Sequence, residues 1–482
     1  MTIYDAQSEM ERLRDGIDAA WEEARKFGLD PFPTHFELVP AAIMYEFASY
    51  SLPGRFSHWT HGKAYHRQKM QYDLGLSKIY EMVVNTNPSY AFLMEMNNML
   101  QNTFVAAHVF GHTDFFKNNA YFQHTSRRMI DKVSIHAERI AKYEFDHGKA
   151  EVERFLDSVL SIQEHVDYNL LLRENENDAT GKKAGPLSSE YDDLWGLEEK
   201  AKKVEEERDA RPGKPPKFPE KPEKDLLLFF QRYAPHLQPW QRDLLEIVHT
   251  EMLYFVPQMQ TKVMNEGWAS IWHSRIMRQL GDKDVITDSE TVEFAQLHSS
   301  VLTPSRTSLN PYYLGFKIFE DIERRWDSPS TEEQERLGRK PGMGRQKIFE
   351  VREIDNDVSF LRNYLTEDLV KDLDLYVYKK EGDDWVIAEK NWQKVRDTIV
   401  ANMTNFGYPY LVVENGDYRG NRELYLKHLF EGQELDLGYA EKTLQHVYTI
   451  WGRPVHLETM FDGKRILLTY DGERNSKSTL EK

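Results

Sequence analysis

Residues 102–119 read NTFVAAHVFGHTDFFKNN. Phe104, Val105, Ala106, Ala107, Val109 and Phe110 follow one another too closely for a surface helix, so the stretch predicts a helix buried on most of its faces. His108 and His112 interrupt the apolar run four residues apart. At about 3.6 residues per turn that spacing stacks both rings on one face, where a single tetrahedral metal can accept a nitrogen from each. The pair is the ligand half of the zinc-protease pattern H-E-x-x-H, but Val109 stands where the general-base glutamate belongs. What that replacement leaves behind is the functional question this sequence poses.

Two histidines need at least one more ligand, and the chain has no cysteine, so any metal must be held by imidazoles and carboxylates. The segment NEGWASIWHS at 265–274 offers Glu266 and His273, seven residues apart and therefore on nearly one helix face. Some zinc peptidases carry their third ligand in an E-G-W-A setting, which Glu266-Gly267-Trp268-Ala269 resembles. Three His and one Glu would make a closed structural site, whereas two His and one Glu leave a water position suited to hydrolysis. Zinc is the first choice among divalent metals, with iron or manganese as alternatives. Buried histidines that only hydrogen-bond within a core are the competing explanation.

For hydrolysis a carboxylate must replace the base lost at Val109. Glu138 in IHAER is the preferred candidate, because its segment is apolar on one side and a buried carboxyl has a raised pKa; Glu95 and Asp114 are alternatives. An ion pair with Arg139 or with another helix is the competing explanation, and the commoner role of a single carboxylate of this kind. Asp114 could instead orient a liganded imidazole. The segment 55–69, RFSHWTHGKAYHRQK, gathers His58 and His66 with several cations and reads as a packing loop or the wall of a cleft. Asn310-Pro311 reads as a turn opening a helix.

Composition sets the frame. A chain of 482 residues with 40% hydrophobic and 12% aromatic content can bury substantial cores and should divide into two or more domains. A formal net charge of -17 argues against nucleic-acid binding, which needs clustered Lys and Arg. The acidic amphipathic N-terminus lacks signal-peptide features, and no apolar run approaches the length of a membrane span, so a cytoplasmic protein without membrane insertion is expected.

The patterning is mainly α, with a large helical domain followed by a small α+β C-terminal domain. Residues 1–345 carry helical periodicity, including an opening helix ending at Gly28 and helical runs at 226–233, 239–280, 289–300 and 311–326. A polar, mobile insertion is expected at about 175–225, where Pro, Lys and Glu crowd out aromatics. The C-terminal domain, 346–482, shows β-branched and aromatic runs at 375–379, 385–389, 410–413, 423–428, 455–460 and 465–470, separated by turn residues.

Several runs carry a resemblance as well. Ser57-His58-Trp59, QYDLGLSKIYE at 71–81, residues 107–119 with their DFFKNN ending, 264–273, 310–315 and WGRPVHLE at 451–458 resemble the stage V sporulation protein R (SpoVR) family. The resemblance implies a bacterial cytoplasmic protein connected, in spore formers, with formation of the spore cortex peptidoglycan. It also implies association with a PrkA-type serine kinase and a von Willebrand-like partner protein in bacteria that do not sporulate. It carries over no agreed catalytic residues. Two functions therefore stand side by side: a metal-dependent hydrolase of amide-type bonds, with His108, His112 and Glu266 as ligands and Glu138 as base, and a non-catalytic scaffold or regulator.

Overall fold

The computed structural model describes residues 3–49, 54, 56–73, 81–169, 218–304, 309–381 and 384–480. Most of the expected insertion at 175–225 lies outside the described residues. The chain is mainly helical and forms two compact units: Met1–Gly148 with Leu253–Tyr408, and Lys149–Met252 with Pro409–Lys482. No described helix is long and apolar enough to cross a membrane.

In the first unit the opening helix Ile3–Lys26 ends before Gly28, whose φ of +88° only glycine adopts cheaply. A three-stranded sheet follows, which the sequence pattern does not announce. Thr34–Val39 pairs in parallel with Ser89–Met94, and the short strand Glu81–Val84 pairs antiparallel on the other side, with Glu81 opposite Leu93. The helix predicted from 102–119 spans Met99–Asn118. Its start is set by a capping box in which the Asn98 side chain accepts from Gln101 N and Gln101 reaches back to Asn98 N. It is buried on most of its length, as its composition requires.

The expected run at 239–280 is two helices, Pro239–Gln260 and Lys262–Asp282, broken at Thr261. Asp357 accepts from Val263 N and Met264 N at 2.8 and 2.9 Å, satisfying donors that the new helix start would otherwise leave orphaned. Burial pushes the Asp357 carboxyl up to about 7 despite these bonds. Helix Pro311–Asp327 begins with Asn310 as cap and Pro311 in the first turn, as its sequence predicts. One apolar core joins these elements around Phe110, Phe115, Trp268, Trp272 and Phe319. Ile348, Val351, Phe360 and Leu361 share that core. Residues 346–408, placed by patterning in the C-terminal domain, thus pack with the first unit because their apolar faces are buried there.

The second unit holds helices Lys149–Leu160, Leu226–Tyr233 and Leu437–Trp451 and a five-stranded sheet. Its order is Asn475–Thr479, Lys464–Tyr470, Val455–Phe461, Glu423–His428, Leu411–Tyr418, and all but the first of these overlap a run of β-branched and aromatic residues expected from the sequence. Glu423–His428 and Val455–Phe461 are parallel, so the chain must cross over between them, and helix Leu437–Trp451 is the crossover. Gly452, at φ +77°, ends that helix, and buried Trp451 donates its indole N–H to Arg422 O at 2.7 Å.

Candidate metal centre

Two backbone close approaches build the site. A Cβ on Gly111 would lie 2.6 Å from Ala269 Cα, and one on Gly267 would lie 2.3 Å from the Gly315 carbonyl carbon. The histidine helix Met99–Asn118, the helix Lys262–Asp282 and the helix Pro311–Asp327 therefore touch backbone to backbone, which only glycine and alanine permit. In E-G-W-A, Gly267 and Ala269 are the contact residues. Trp268 between them donates Nε1–H to Asp114 Oδ2 at 2.8 Å, and Asp114 Oδ1 accepts from Asp30 N at 2.7 Å. With Arg352 3.3 Å away, the fully buried Asp114 is a structural clamp that sets the register of Glu266 against the histidines.

That register brings Glu81, His108, His112 and Glu266 together, with one ligand atom from each lying within 4.8 Å of the others. Glu81 Oε1 lies 3.1 Å from His108 Nε2 and 3.3 Å from His112 Nε2; Glu266 Oε2 lies 3.5 Å from both. Buried His108 Nε2 and Glu266 Oε2 have no aligned hydrogen-bond partner, although they lie 3.5 Å apart. Leaving two such atoms unsatisfied is costly in a closed interior, and a bound cation would satisfy both. Two imidazoles with two carboxylates suit zinc, iron or manganese.

The rest of each ring is held from behind. His112 Nδ1 meets Asn265 Oδ1 at 2.9 Å, and His108 Nδ1 meets His273 Nδ1 at 2.7 Å. The site opens on a cavity of about 360 Å³ whose wall includes Glu81, His112, Glu266, Tyr312, Lys262 and Gln258. Burial opposes every charge here, yet the pairing of opposite charges overrides it in the metal-free protein. Glu266 is held down at about 2 and Glu81 is held well below the carboxylate range by the two rings; His108 and His112 are raised by the two carboxylates. Burial, then the Glu266 and Glu81 charges, push the Tyr312 phenol far up, so it stays protonated.

The structure thus joins His108, His112 and Glu266, three of the four candidate ligands His108, His112, Glu266 and His273, and adds Glu81. His273 is adjacent but points both nitrogens elsewhere, Nδ1 to His108 and Nε2 to His298 at 2.8 Å. Burial and the neighbouring rings drive its pKa well down, so it is neutral. Glu138 lies on the exposed face of helix Met129–His147, without the burial expected for it and outside the group. Asp114 is the clamp described above, and His58 and His66 are not in the cluster. Glu81 escapes sequence reasoning because no spacing ties a lone carboxylate at the start of a four-residue strand to a helix. Its only signal is its place at the end of QYDLGLSKIYE.

Residues 7–408 match the family described as SpoVR-like protein, and residues 409–462 match the SpoVR-like C-terminal domain. The chain belongs to the SpoVR family. The chain is also 30% identical over 499 residues to a protein of Escherichia coli (strain K12) described as "Uncharacterized protein YcgB", covering 95% of this chain and 96% of that one. No solved structure matches. The boundary between the two SpoVR matches, at 408/409, coincides with a boundary between the compact units.

Proposed function

We propose that this SpoVR-family protein is a metal-dependent hydrolase of amide-type bonds, with His108, His112 and Glu266 holding the metal and Glu81 acting as the base that Val109 cannot be. The observation that carries it is the convergence of four ligand-type atoms, two of them buried without an aligned partner, at the wall of a cavity. A bound divalent metal, zinc first and iron or manganese next, would act as a Lewis acid and acidify a water. Glu81 faces the cavity, where Oε1 can take up a proton from an attacking water. Tyr312, kept protonated, can donate its O–H to a carbonyl oxygen or a leaving nitrogen. Asn265 orients the His112 ring, and Lys262 at the rim favours an anionic group on the substrate. Action in the cytoplasm on precursors of the spore cortex, whose peptidoglycan contains amide bonds, fits the family.

Elemental analysis of the purified protein tests this. About one equivalent of metal is expected, lost in His108→Ala and Glu266→Gln, while Glu81→Gln keeps the metal and loses hydrolysis. A wild-type protein that is folded and takes up no metal overturns the proposal. A recruiting role, with a PrkA-type kinase and a von Willebrand-like partner, has one observation in its favour: Trp385, Val386 and Ile387 stand exposed in a row on strand Asp384–Glu389. Under that role, substitutions at the strand disrupt function and those at the cluster do not.

A further inference from the structure

His273 was a candidate ligand by spacing, yet it sits behind the cluster and touches it through a ring-to-ring hydrogen bond. Its Nδ1 is 2.7 Å from His108 Nδ1, and its Nε2 is 2.8 Å from His298 Nδ1. In each contact one nitrogen must carry the proton and the other must not. His108 turns Nε2 toward Glu81 and Glu266, and a metal there requires that nitrogen to be bare. The His108 proton is then on Nδ1, donated to His273 Nδ1. His273 must carry its own proton on Nε2, donated to His298 Nδ1, and His298 carries its proton on Nε2. Reversing one link alone would set two hydrogens or two lone pairs face to face.

The surroundings hold the rings in this arrangement. His273 is fully buried, and Phe104 packs its edge against the ring at 4.6 Å between centroids. Phe294 and Phe316 pack against His298. Both nitrogens of His273 thus find their partners in the two neighbouring imidazoles, while His298 is half-buried with the Arg278 and Lys317 charges nearby. Resting on the metal-centre proposal, we infer that His273, backed by His298, is a positioning residue that locks His108 in the tautomer presenting a bare Nε2 and thereby sets metal affinity. The contrast with His112 sharpens the assignment. Asn265 Oδ1, an oxygen acceptor, holds His112 unconditionally, whereas His273 accepts from His108 only while His298 takes the proton on its far side.

Zinc affinity of the full-length protein, measured by competition with a chromophoric chelator, tests the inference. His273→Phe keeps the ring volume but removes the acceptor, and should weaken zinc binding by about 10–100-fold. His273→Asn, whose Oδ1 can accept in place of Nδ1, should stay close to wild type. His298→Phe should weaken binding less than His273→Phe, because it frees His273 to adopt the wrong tautomer part of the time. Added to His273→Asn, His298→Phe should have no effect, since asparagine does not depend on it. Two-bond proton–nitrogen spectra of the zinc-loaded protein should report a proton on Nδ1 of His108 and on Nε2 of His273.

A folded His273→Phe protein that binds zinc like wild type, or a His273 found protonated on Nδ1, overturns this inference alone. Should His273→Phe fail to fold, the His298→Phe effect and its disappearance in the double variant decide. A wild-type protein that binds none of zinc, iron or manganese overturns the inference together with the metal centre.

Discussion

His108 in the first unit and His456 in the second are both buried histidines beside a glutamate, and their surroundings separate a site from a strut. His456 is complete: Nε2 meets Glu423 Oε2 at 2.8 Å and Nδ1 meets Thr469 Oγ1 at 2.8 Å. Its neighbours are complete too. Glu423 also takes Asn421 at 2.8 Å, and Glu458 takes the Tyr425 hydroxyl at 2.6 Å and Arg465 at 2.7 Å. Around His108 the distances are similar but the alignment is missing, and Nε2 stays without a hydrogen-bond partner. Burial alone does not distinguish the two histidines. Unspent bonding capacity aimed at one point does.

Exchanging the two residues for alanine should split the two roles. His108→Ala should weaken metal binding by more than the about 10–100-fold that an outer partner costs, with little effect on the second unit. His456→Ala should leave metal content at the wild-type level and cost about 1–3 kcal/mol in urea unfolding, because buried Glu423 and Thr469 lose a partner. Metal loss in His456→Ala would erase the distinction.

The next largest effect concerns how each unit holds its histidine. The second unit places His456 by strand register, opposite Tyr425 on one side and Thr469 on the other. The first unit relies on helices pressed together at Gly267 and Gly315. Gly267→Ala adds a carbon 2.3 Å from backbone, where no side chain can swing aside, so a loss of about 3 kcal/mol or more is expected together with weakened metal binding. Thermal unfolding and chelator competition on the same sample would show both. A stable Gly267→Ala with normal affinity would mean that helix contact does not set the ligand geometry.

How much of this was legible beforehand follows from the same contrast. The helix carrying His108 and His112 and the strands around His456 obey local rules, dense apolar runs in one case and β-branched runs between turns in the other, so both were readable from the sequence. The sheet of Thr34–Val39, Ser89–Met94 and Glu81–Val84 was not, because its strands are short and joined by long connections rather than hairpin turns alone. Glu81 rides on that sheet and was missed with it. Spacing put Glu266 and His273 on one face, but a turn-by-turn count cannot tell a ring that ends at the focus from one that ends a bond behind it. The burial that the sequence suggests for Glu138 depends on what packs over its helix, which local pattern does not specify.

A smaller effect is the pH dependence of metal stabilisation. In the metal-free protein, Glu266 is lowered from 4.5 to about 2, so its contribution is present above 4.5 and lost as pH falls toward 2. His108 and His112 are raised above 6.5, so their contribution is present below 6.5 and lost as pH rises through the folded values. The empty cluster therefore favours folding most between about 4.5 and 6.5 and less above that. Metal binding runs the other way, since it needs neutral imidazoles. The rise in Tm on adding zinc should accordingly be larger at about pH 8 than at about pH 6. An equal rise at both would show that His108 and His112 do not bind the metal.

The smallest expected effect falls on the carboxylate that sequence alone favoured as the base. Glu138 is exposed on helix Met129–His147, and among the described residues no metal-type group includes it. An exposed carboxylate has water to solvate either form, so neutralising it removes neither a buried charge nor a partner from a buried atom. Glu138→Gln should change stability by less than about 0.5 kcal/mol and leave metal content untouched. Glu81→Gln, by contrast, alters an oxygen that lies 3.1 Å from His108 Nε2 and 3.3 Å from His112 Nε2. Measured side by side for hydrolysis of a peptide amide, the two variants rank the carboxylates directly. If Glu138→Gln loses activity while Glu81→Gln retains it, proton transfer does not occur at the cluster, and the alignment that separates His108 from His456 has no bearing on catalysis.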